Sequence, residues 1–592
     1  MRLVPVKTFE PKAEVILRGV PASAGIAIGR AFVFFENKPV VEQQQLSAAE
    51  IPREIERLRE ALQKAKDEVM LDQNIALEQA GEAAAQIFEV HHLILNDPEF
   101  FDRVEGEIRG QACNADFAFH ELMQNYVSQL LKQGGFFSHR DTDFQDVEHR
   151  VLRHLQGDRG AHLSKLASGA IVVTEDLAPS LAVLLDRHKI RGFATDFGGI
   201  NSHGVIIARS NGLPAVLGLQ EITKRCTTGD RVIIDGDEGV ILLNPDENTL
   251  NWYQKKQVKQ LEARSRLGYL RDLPARTRDG RDIELAANLE FADEVKLVRE
   301  NGAQGVGLFR TEYLYLDKVE APSEELQFET YYRIAQEMKP HPVIIRTMDL
   351  GGDKVPACVK SAPEPNPFLG WRAIRICLDQ PELFKDQLRA ILRANVLGNI
   401  KILLPMIAGV DELDKALALI EQAKRELTKA KKPFEPNTEI GVMIEVPSAA
   451  IMADLIAERV DFLSIGTNDL AQYAMAADRG NGRVAHLLMG FQPAVLRLIQ
   501  QVITAAHRRG VWVGVCGEMA ADQLATLLLV GMEIDELSVN PIDVPKIKKI
   551  IRDISFDEAK ELADQVLEFS TSKEIHDYVK PFMRHKFKDM LA

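Results

Sequence analysis

Residues 198–214, Gly-Gly-Ile-Asn-Ser-His-Gly-Val-Ile-Ile-Ala-Arg-Ser-Asn-Gly-Leu-Pro, place one histidine where a phosphate would be well received. Arg191 to Thr195 reads as a brief strand, and Gly198-Gly199 allows a sharp turn after it. Asn201 or Ser202 is suited to cap a helix, which Asn211-Gly212 and Pro214 stop about two turns later. His203 is therefore expected in the first helical turn, beside unpaired backbone amides and the positive end of the helix dipole. Most isolated histidines only fill space. Here the glycine turn, the capping residues and Arg209 on the same helix favour a phosphoryl-accepting nucleophile.

A second set of reactive side chains stands in the C-terminal half. Arg310 and Arg346 each end a short apolar run, and Arg372 and Arg479 lie on later loops. Guanidinium forks match phosphate and carboxylate oxygens two at a time. Glu445 and Asp469 add hard carboxylate oxygens, whose natural use among arginines is one Mg²⁺ that keeps waters and bridges substrate oxygens. A small substrate carrying both phosphate and carboxylate fits that inventory. The bland reading of any one of these residues is a salt bridge tying loops together; six converging on one mouth argue against it. Cys516, in Val515-Cys516-Gly517-Glu518, is either an inert small hydrophobe or a proton donor to a carbanion or enolate. Gly351-Gly352-Asp353-Lys354 has the look of a phosphate loop but lacks Walker spacing, so alone it says little.

The elements that must hold these groups follow from periodicity. Eight apolar runs recur with helical patterns between them: 283–287, 305–309, 343–346, 402–404, 440–444, 461–465, 511–515 and 533–537. That rhythm predicts a (β/α)₈ barrel. Asn288, Arg310, Arg346, Met406, Glu445, Asn468-Asp469, Cys516-Gly517-Glu518 and Asn540 stand at or just past the run ends, the face where barrel chemistry is done. Upstream, residues 16–35 read as short strands, and 47–155 as helices with Ile55, Leu58, Leu62 and Val69 on one face. Strand-type runs resume at 169–174, and 231–234 with 239–243 read as a hairpin, so the strands before and after the helices make one α/β unit with a helical insertion. Residues 246–272 read as a charged helical linker. Between Asp67 and Asp102 there is no Lys or Arg, while Asp72, Glu78, Glu82, Glu89, Asp97 and Glu99 accumulate: a solvated helix face, or a docking surface for a basic partner. His91 and His92, adjacent in the same insertion, read as structural or partner-facing rather than catalytic.

Composition sets the frame. The 592 residues, 46% of them hydrophobic, suffice for several domains with real cores. A net charge of −15 argues against a nucleic-acid partner. Five scattered cysteines, 113, 226, 358, 377 and 516, show no CxxC spacing and indicate neither a disulfide framework nor a zinc site. The first fifteen residues lack the apolar core of a signal peptide, and no run of about 18 uninterrupted apolar residues occurs, so a cytoplasmic protein without membrane insertion is expected.

Together these segments resemble enzyme I of the phosphoenolpyruvate–sugar phosphotransferase system over almost the whole chain. The carrying stretches, in family order, are 198–218, Gly305-Val-Gly-Leu-Phe-Arg-Thr-Glu312, Ile345-Arg-Thr-Met-Asp-Leu-Gly-Gly-Asp-Lys354, Asn366-Pro-Phe-Leu-Gly-Trp-Arg372, Gly441-Val-Met-Ile-Glu-Val-Pro447, Ser464-Ile-Gly-Thr-Asn-Asp-Leu470, Ala477-Asp-Arg-Gly-Asn481 and Cys516-Gly-Glu518. The resemblance implies that His203 takes a phosphoryl group from phosphoenolpyruvate, releasing pyruvate, and passes it to a histidine of the carrier protein HPr. It implies that Glu445 and Asp469 bind Mg²⁺, that Arg310, Arg346, Arg372, Asn468, Asp469 and Arg479 hold the substrate, and that Cys516 protonates the enolate. It also implies an N-terminal α/β phosphohistidine domain (1–46 and 156–245) with an inserted helical HPr-binding subdomain (47–155). A helical linker (246–275) then leads to a C-terminal (β/α)₈ TIM barrel (276–592) that forms a homodimer.

The chain departs from the family pattern at several supporting hydroxyls. Asn201-Ser202-His203-Gly204 stands for Thr-Ser-His-Thr, Ala178 for the threonine of Asp-Leu-Thr-Pro-Ser-Glu, and Ala471 for another threonine; Met489 to Pro493 also differs. Those losses keep one alternative of another class open: a phosphoenolpyruvate-responsive regulatory phosphoprotein with slow or no carrier turnover. A pyruvate-phosphate dikinase or phosphoenolpyruvate synthase would need a large ATP-binding domain, and a nitrogen-type relative an N-terminal sensory domain; only about 200 residues, mostly the helical insertion, precede the histidine.

Overall fold

The computed structural model describes residues 14–34, 41–80, 87–133, 141–157, 169–175, 190–197, 213–315, 321–351, 359, 364–478, 484–488 and 490–587. The chain forms two compact units, Met1–Glu262 and Ala263–Ala592.

The first unit is built on an eight-stranded sheet. Its strands are β1 (Val15–Arg18), β2 (Val20–Ser23), β3 (Ile26–Phe34), β4 (Ala170–Thr174), β5 (Ile190–Thr195), β6 (Ala215–Leu217), β7 (Arg231–Asp235) and β8 (Val240–Leu243), in the order β1-β8-β7-β3-β4-β5-β6-β2. β3 to β6 run parallel, while β7, β8, β1 and β2 add antiparallel edges. The all-buried β4, Ala-Ile-Val-Val-Thr, is the apolar run expected of a strand covered on both faces. Its period of two sends Ile171 and Val173 into one core and Ala170 and Val172 into another. β7 and β8 form the expected hairpin. The chain leaves this sheet after β3 and returns at β4.

Between them lie α1 (Ile51–Ala80), α2 (Ile87–Leu95), α3 (Pro98–Gln111), α4 (Ala115–Gln133) and α5 (Asp141–Leu155). Ile55, Leu58, Leu62 and Val69 of α1 are all buried, with Phe88, Phe100, Phe119 and Phe144 in the same cluster. The acidic run is not one surface. Asp72 is buried and accepts from Arg150 Nη1 at 2.7 Å, and Asp97 caps α3 by accepting from the amides of Glu99 and Phe100. Burying a lone carboxylate is prohibitive, so Asp72 without Arg150 would oppose helix packing rather than attract a partner. Glu82 lies outside the described residues, as do the side chains of Glu78 and Glu89. His91 is fully buried, its Nε2 3.8 Å from Asp146 Oδ2, and His92 Nε2 is 3.1 Å from Gln73 Oε1.

The linker segment forms α6 (Glu247–Leu267), and its first part is fastened to the sheet. Leu250 and Tyr253 pack with Ile26, Ile233, Val240 and Leu242, Lys256 Nζ meets Asp235 Oδ2 at 2.6 Å, and Gln260 reaches Asp237 at 3.0 Å.

The second unit is a closed barrel of eight parallel strands: β9 (Glu284–Leu289), β10 (Val306–Phe309), β11 (Val343–Arg346), β12 (Ile400–Leu404), β13 (Ile440–Ile444), β14 (Phe462–Ile465), β15 (Trp512–Val515) and β16 (Glu536–Val539), with β16 pairing back to β9. Three helices matter below: α7 (Glu324–Met338), α8 (Pro381–Ala394) and α9 (Thr467–Ala474). Leu308, Ile344, Leu403, Met443, Phe462 and Cys516 cluster with Trp512, which stacks on Phe462 at 4.7 Å. Seven of the eight expected runs meet their strands to within a residue or two. The eighth, 533–537, is displaced to β16, because Glu533 and Ile534 close the preceding helix: their amides reach the carbonyls of Val530 and Leu529, and Glu533 takes φ +73°. No helix among the described residues is long and apolar enough to cross a membrane.

Candidate active site

Most side chains at the barrel mouth are delivered by strand ends, while Arg372 comes from the loop between the turn Pro367–Leu369 and the helix Ile374–Asp379. Arg346 is the last residue of β11, Arg310 the first after β10, Glu445 the first after β13 and Cys516 the first after β15. Asn468 and Asp469 open α9, three residues beyond β14. Strand ends in a closed barrel are braced by two neighbours, so these groups sit on rigid backbone.

Two arginines are deeply set. Arg346 is 9% and Arg372 5% exposed. Arg346 Nη2 bonds Glu312 Oε1 at 3.0 Å and its Nη1 meets Asp349 Oδ2 at 3.1 Å. Arg372 Nη2 bonds Asp349 Oδ1 at 2.9 Å, lies 3.8 Å from Asp469 Oδ2, and its Nη1 donates to Tyr473 OH at 3.1 Å. Burial opposes both charges, but the carboxylates beside them (Glu312 and Asp349 for Arg346, Asp349 and Asp469 for Arg372) hold both pKa values above the ordinary arginine value. Asp349 thus spans the two guanidinium groups. Gly351, at φ +119°, permits this approach, since a Cβ there would stand 2.3 Å from that of Arg372. Arg310 is more open and pairs with Glu290 at 2.5 Å.

The carboxylates are crowded. Glu445 is 1% exposed and accepts from the Met406 amide at 2.6 Å. Burial, then the charges of Asp469 and Asp349, push its carboxyl well above the usual range. Asp469 Oδ1 is buried and has no hydrogen-bond partner among the described residues, and neither do Arg346 Nε, Arg372 Nε and Thr467 Oγ1. Buried polar groups are almost always paired, so this concentration at one mouth marks the place where a ligand completes the bonding. Unpaired guanidinium donors call for an anion; crowded carboxylates with a bare oxygen call for a cation. A cation held by the crowded carboxylates Glu445 and Asp469 would fill the rest of its shell from substrate and water.

Cys516 is 3% exposed, and its Sγ donates to the Ile465 carbonyl at 3.8 Å. Burial raises the thiol to about 11, which keeps its proton in place at neutral pH. Asn288 Nδ2 holds the Cys516 carbonyl at 3.0 Å, and its Oδ1 accepts from Ser538 Oγ at 2.6 Å. Asn468 Oδ1 accepts from the Glu518 amide at 3.0 Å, joining the loops after β14 and β15.

The described structure therefore brings together Arg310, Arg346, Arg372, Glu445, Asn468, Asp469 and Cys516. His203, Arg209 and Arg479, with Ala178, Gly204 and Lys354, lie outside the described residues. Sequence reasoning assigned no role to Asp349, Glu312 and Tyr473. Asp349 follows Arg346 by three residues, Glu312 follows Arg310 by two, and Tyr473 follows Asp469 by four on one helix face, a spacing that was readable.

Models of phosphoenolpyruvate-utilising enzymes match most of the chain: the N-terminal domain over residues 18–140, the mobile domain over 166–239 and the phosphoenolpyruvate-binding domain over 264–556. The chain is 41% identical to the phosphoenolpyruvate-protein phosphotransferase of Bacillus subtilis (strain 168), over 95% of this chain and 99% of that protein. It is 40% identical to the proteins of that name from Priestia megaterium, over 95% and 98%, and Haemophilus influenzae, over 96% and 99%. A solution structure titled enzyme I (nEIt) is 35% identical, covering 41% of this chain and 99% of that one with a TM-score of 0.38.

Proposed function

The chain belongs to the phosphoenolpyruvate–protein phosphotransferase family, and from that premise we propose how its own residues divide the work of phosphoenolpyruvate-dependent phosphotransfer. The observation that carries the assignment is the set of unpaired buried donors and acceptors at the barrel mouth, Arg346 Nε, Arg372 Nε and Asp469 Oδ1, which suits a small anion held together with a cation.

In this reading Arg310, Arg346, Arg372, Asn468 and Arg479 bind the phosphate and carboxylate of phosphoenolpyruvate. Glu445 and Asp469 hold Mg²⁺, which when bound supplies the positive charge that their crowding lacks. Neutral His203 attacks phosphorus in line; the bond from phosphorus to the enol oxygen breaks and its electron pair leaves with the enolate. The arginines stabilise charge on the equatorial oxygens, so catalysis is mainly positioning and electrostatics. Cys516 gives its proton to the methylene carbon of the enolate, forming pyruvate, and the thiolate regains a proton from water. A thiol kept neutral by burial is ready for that step.

The second half-reaction moves the phosphoryl group from His203 to a histidine of HPr in the cytoplasm. A docking role for the helical insertion is supported by exposed apolar residues: Met70, Leu71 and Leu93, on α1 and α2, are each more than half exposed. The active enzyme is a homodimer through the barrel. A regulatory phosphoprotein is not favoured, since the relatives are named as transferases over nearly their whole length. Incubating the chain with Mg²⁺, labelled phosphoenolpyruvate and purified HPr tests the reading. Acid-labile, base-stable label should pass through the chain to HPr, and none should reach HPr through His203→Ala; label on HPr through that variant would refute it.

A further inference from the structure

We propose that Thr311 and Gln387 are positioning residues for the phosphotransfer reaction, locking the ends of β10 and β11 together so that Arg310 and Arg346 meet one substrate. The inference rests on the assignment of those two arginines to phosphoenolpyruvate.

Past Arg346 the chain leaves the sheet, and its backbone groups must find other partners. They are clamped one after another. The Arg346 carbonyl accepts from Thr311 Oγ1 at 3.0 Å, and the Thr347 amide donates to the Leu403 carbonyl at 2.9 Å. The Met348 amide donates to Gln387 Oε1 at 2.9 Å, and the Asp349 amide to Glu312 Oε1 at 3.1 Å. Two of these four clamps come from the residues that directly follow Arg310. The ends of the two arginine-bearing strands are therefore cross-tied.

Gln387, on α8, directs that tie. It is fully buried, and its carboxamide has one consistent orientation: Met348 supplies a donor, so Oε1 faces that amide. The Nε2 group then donates to Thr311 Oγ1 at 3.2 Å and to Tyr331 OH at 3.3 Å. Thr311, accepting from Gln387, has its own hydrogen free for the Arg346 carbonyl. Tyr331 of α7 passes the chain on to Gln327 Oε1 at 3.0 Å, and Gln327 Nε2 ends it at the Pro322 carbonyl, 3.0 Å away. Every donor of the Gln387 amide is used, and the whole path is buried from Gln327 to Arg346. A fully satisfied buried network specifies one geometry more strongly than apolar packing does. Its near end holds the arginine backbone; its far end, at Tyr331 and Gln327, only braces helices.

That asymmetry yields the test, made on the full chain with Mg²⁺ and saturating HPr as phosphoryl acceptor, reading kcat and KM for phosphoenolpyruvate separately and the melting temperature alongside. Thr311→Val keeps the side-chain shape but removes the hydroxyl; it should lower kcat/KM about 10-fold or more, mostly through KM, at temperatures where the variant is fully folded. Thr311→Ser restores the hydroxyl and should return kcat/KM to within about two-fold of wild type. Tyr331→Phe removes one hydroxyl from the far end; it should lower the melting temperature while leaving kcat/KM within about two-fold. If Thr311→Val does not fold, Thr311→Ala reads the same loss. A folded hydroxyl-free variant with kcat/KM unchanged, or a Tyr331→Phe defect as deep as that of Thr311→Val, would overturn the proposal. Arg346→Lys is measured in parallel: an unchanged KM there would overturn the arginine assignment itself, whatever Thr311 does.

Discussion

At the scale of single residues, the barrel mouth is a set of groups each held in the state its task requires. Arg346 and Arg372 stay charged although buried, because Glu312 and Asp349 offset the burial of the first and Asp349 and Asp469 that of the second. Burial raises the Cys516 thiol to about 11, so it stays protonated well into the alkaline range. Replacing it with alanine should therefore spare substrate binding and slow pyruvate release about 100-fold or more, the usual worth of a positioned acid. Phosphoenolpyruvate affinity by calorimetry, set beside the release rate, checks this; equal losses in both would show that the thiol only packs. Most of these residues are legible in the sequence, since an arginine, a carboxylate or a cysteine directly after an apolar run is what a barrel strand presents at its working face. Gln387 is not, because its role arises from contacts between elements far apart in the chain. Gln387 meets Thr311 across 76 residues, and no local spacing encodes that.

Among the elements, hydrophobic periodicity located nearly all strands and failed where another local rule won. The eighth run slipped because Ile534, apolar and buried, serves a helix end rather than a strand. One residue of the acidic stretch departs from the expected surface for a related reason: Asp72, lacking lysine and arginine nearby in sequence, finds Arg150 from α5. Charge counted along the chain says little about charge on a surface. β16 also carries a titration into the barrel seam, where Glu536 is paired in register with Glu284 and is 2% exposed, with Oε1 unpaired. Burial, then the neighbouring charge of Glu284, raises the Glu536 carboxyl to about 8. Between the ordinary carboxylate value and that point the unfolded chain releases a proton that the folded chain keeps. Stability from this group is thus fully present below about pH 4.5, falls as pH rises, and changes no further above about 8. Glu536→Gln should flatten the loss, so its melting temperature should gain on wild type from pH 5 to pH 8; parallel curves would refute the assignment.

For the molecule as a whole, the chain forms two compact units, and the proposed substrate-binding arginines, carboxylates and thiol fall in one while the His203 segment belongs to the other. Two compact units, each with its own buried apolar interior, should not melt as one. Calorimetry of the full chain should show two transitions. A ligand that binds only the native barrel stabilises only that unit, so Mg²⁺ with phosphoenolpyruvate should raise one transition and leave the other in place. A single transition moving as a block would contradict this division. The central claim, that the chain phosphorylates its own His203 from phosphoenolpyruvate, is tested most directly by single-turnover pyruvate release with Mg²⁺, wild type against His203→Ala. The account predicts about one pyruvate per chain from the wild type, matched by acid-labile phosphate on the protein, and no burst from the variant. A folded wild type that binds phosphoenolpyruvate yet gives no burst, or a His203→Ala burst equal to wild type, would contradict it.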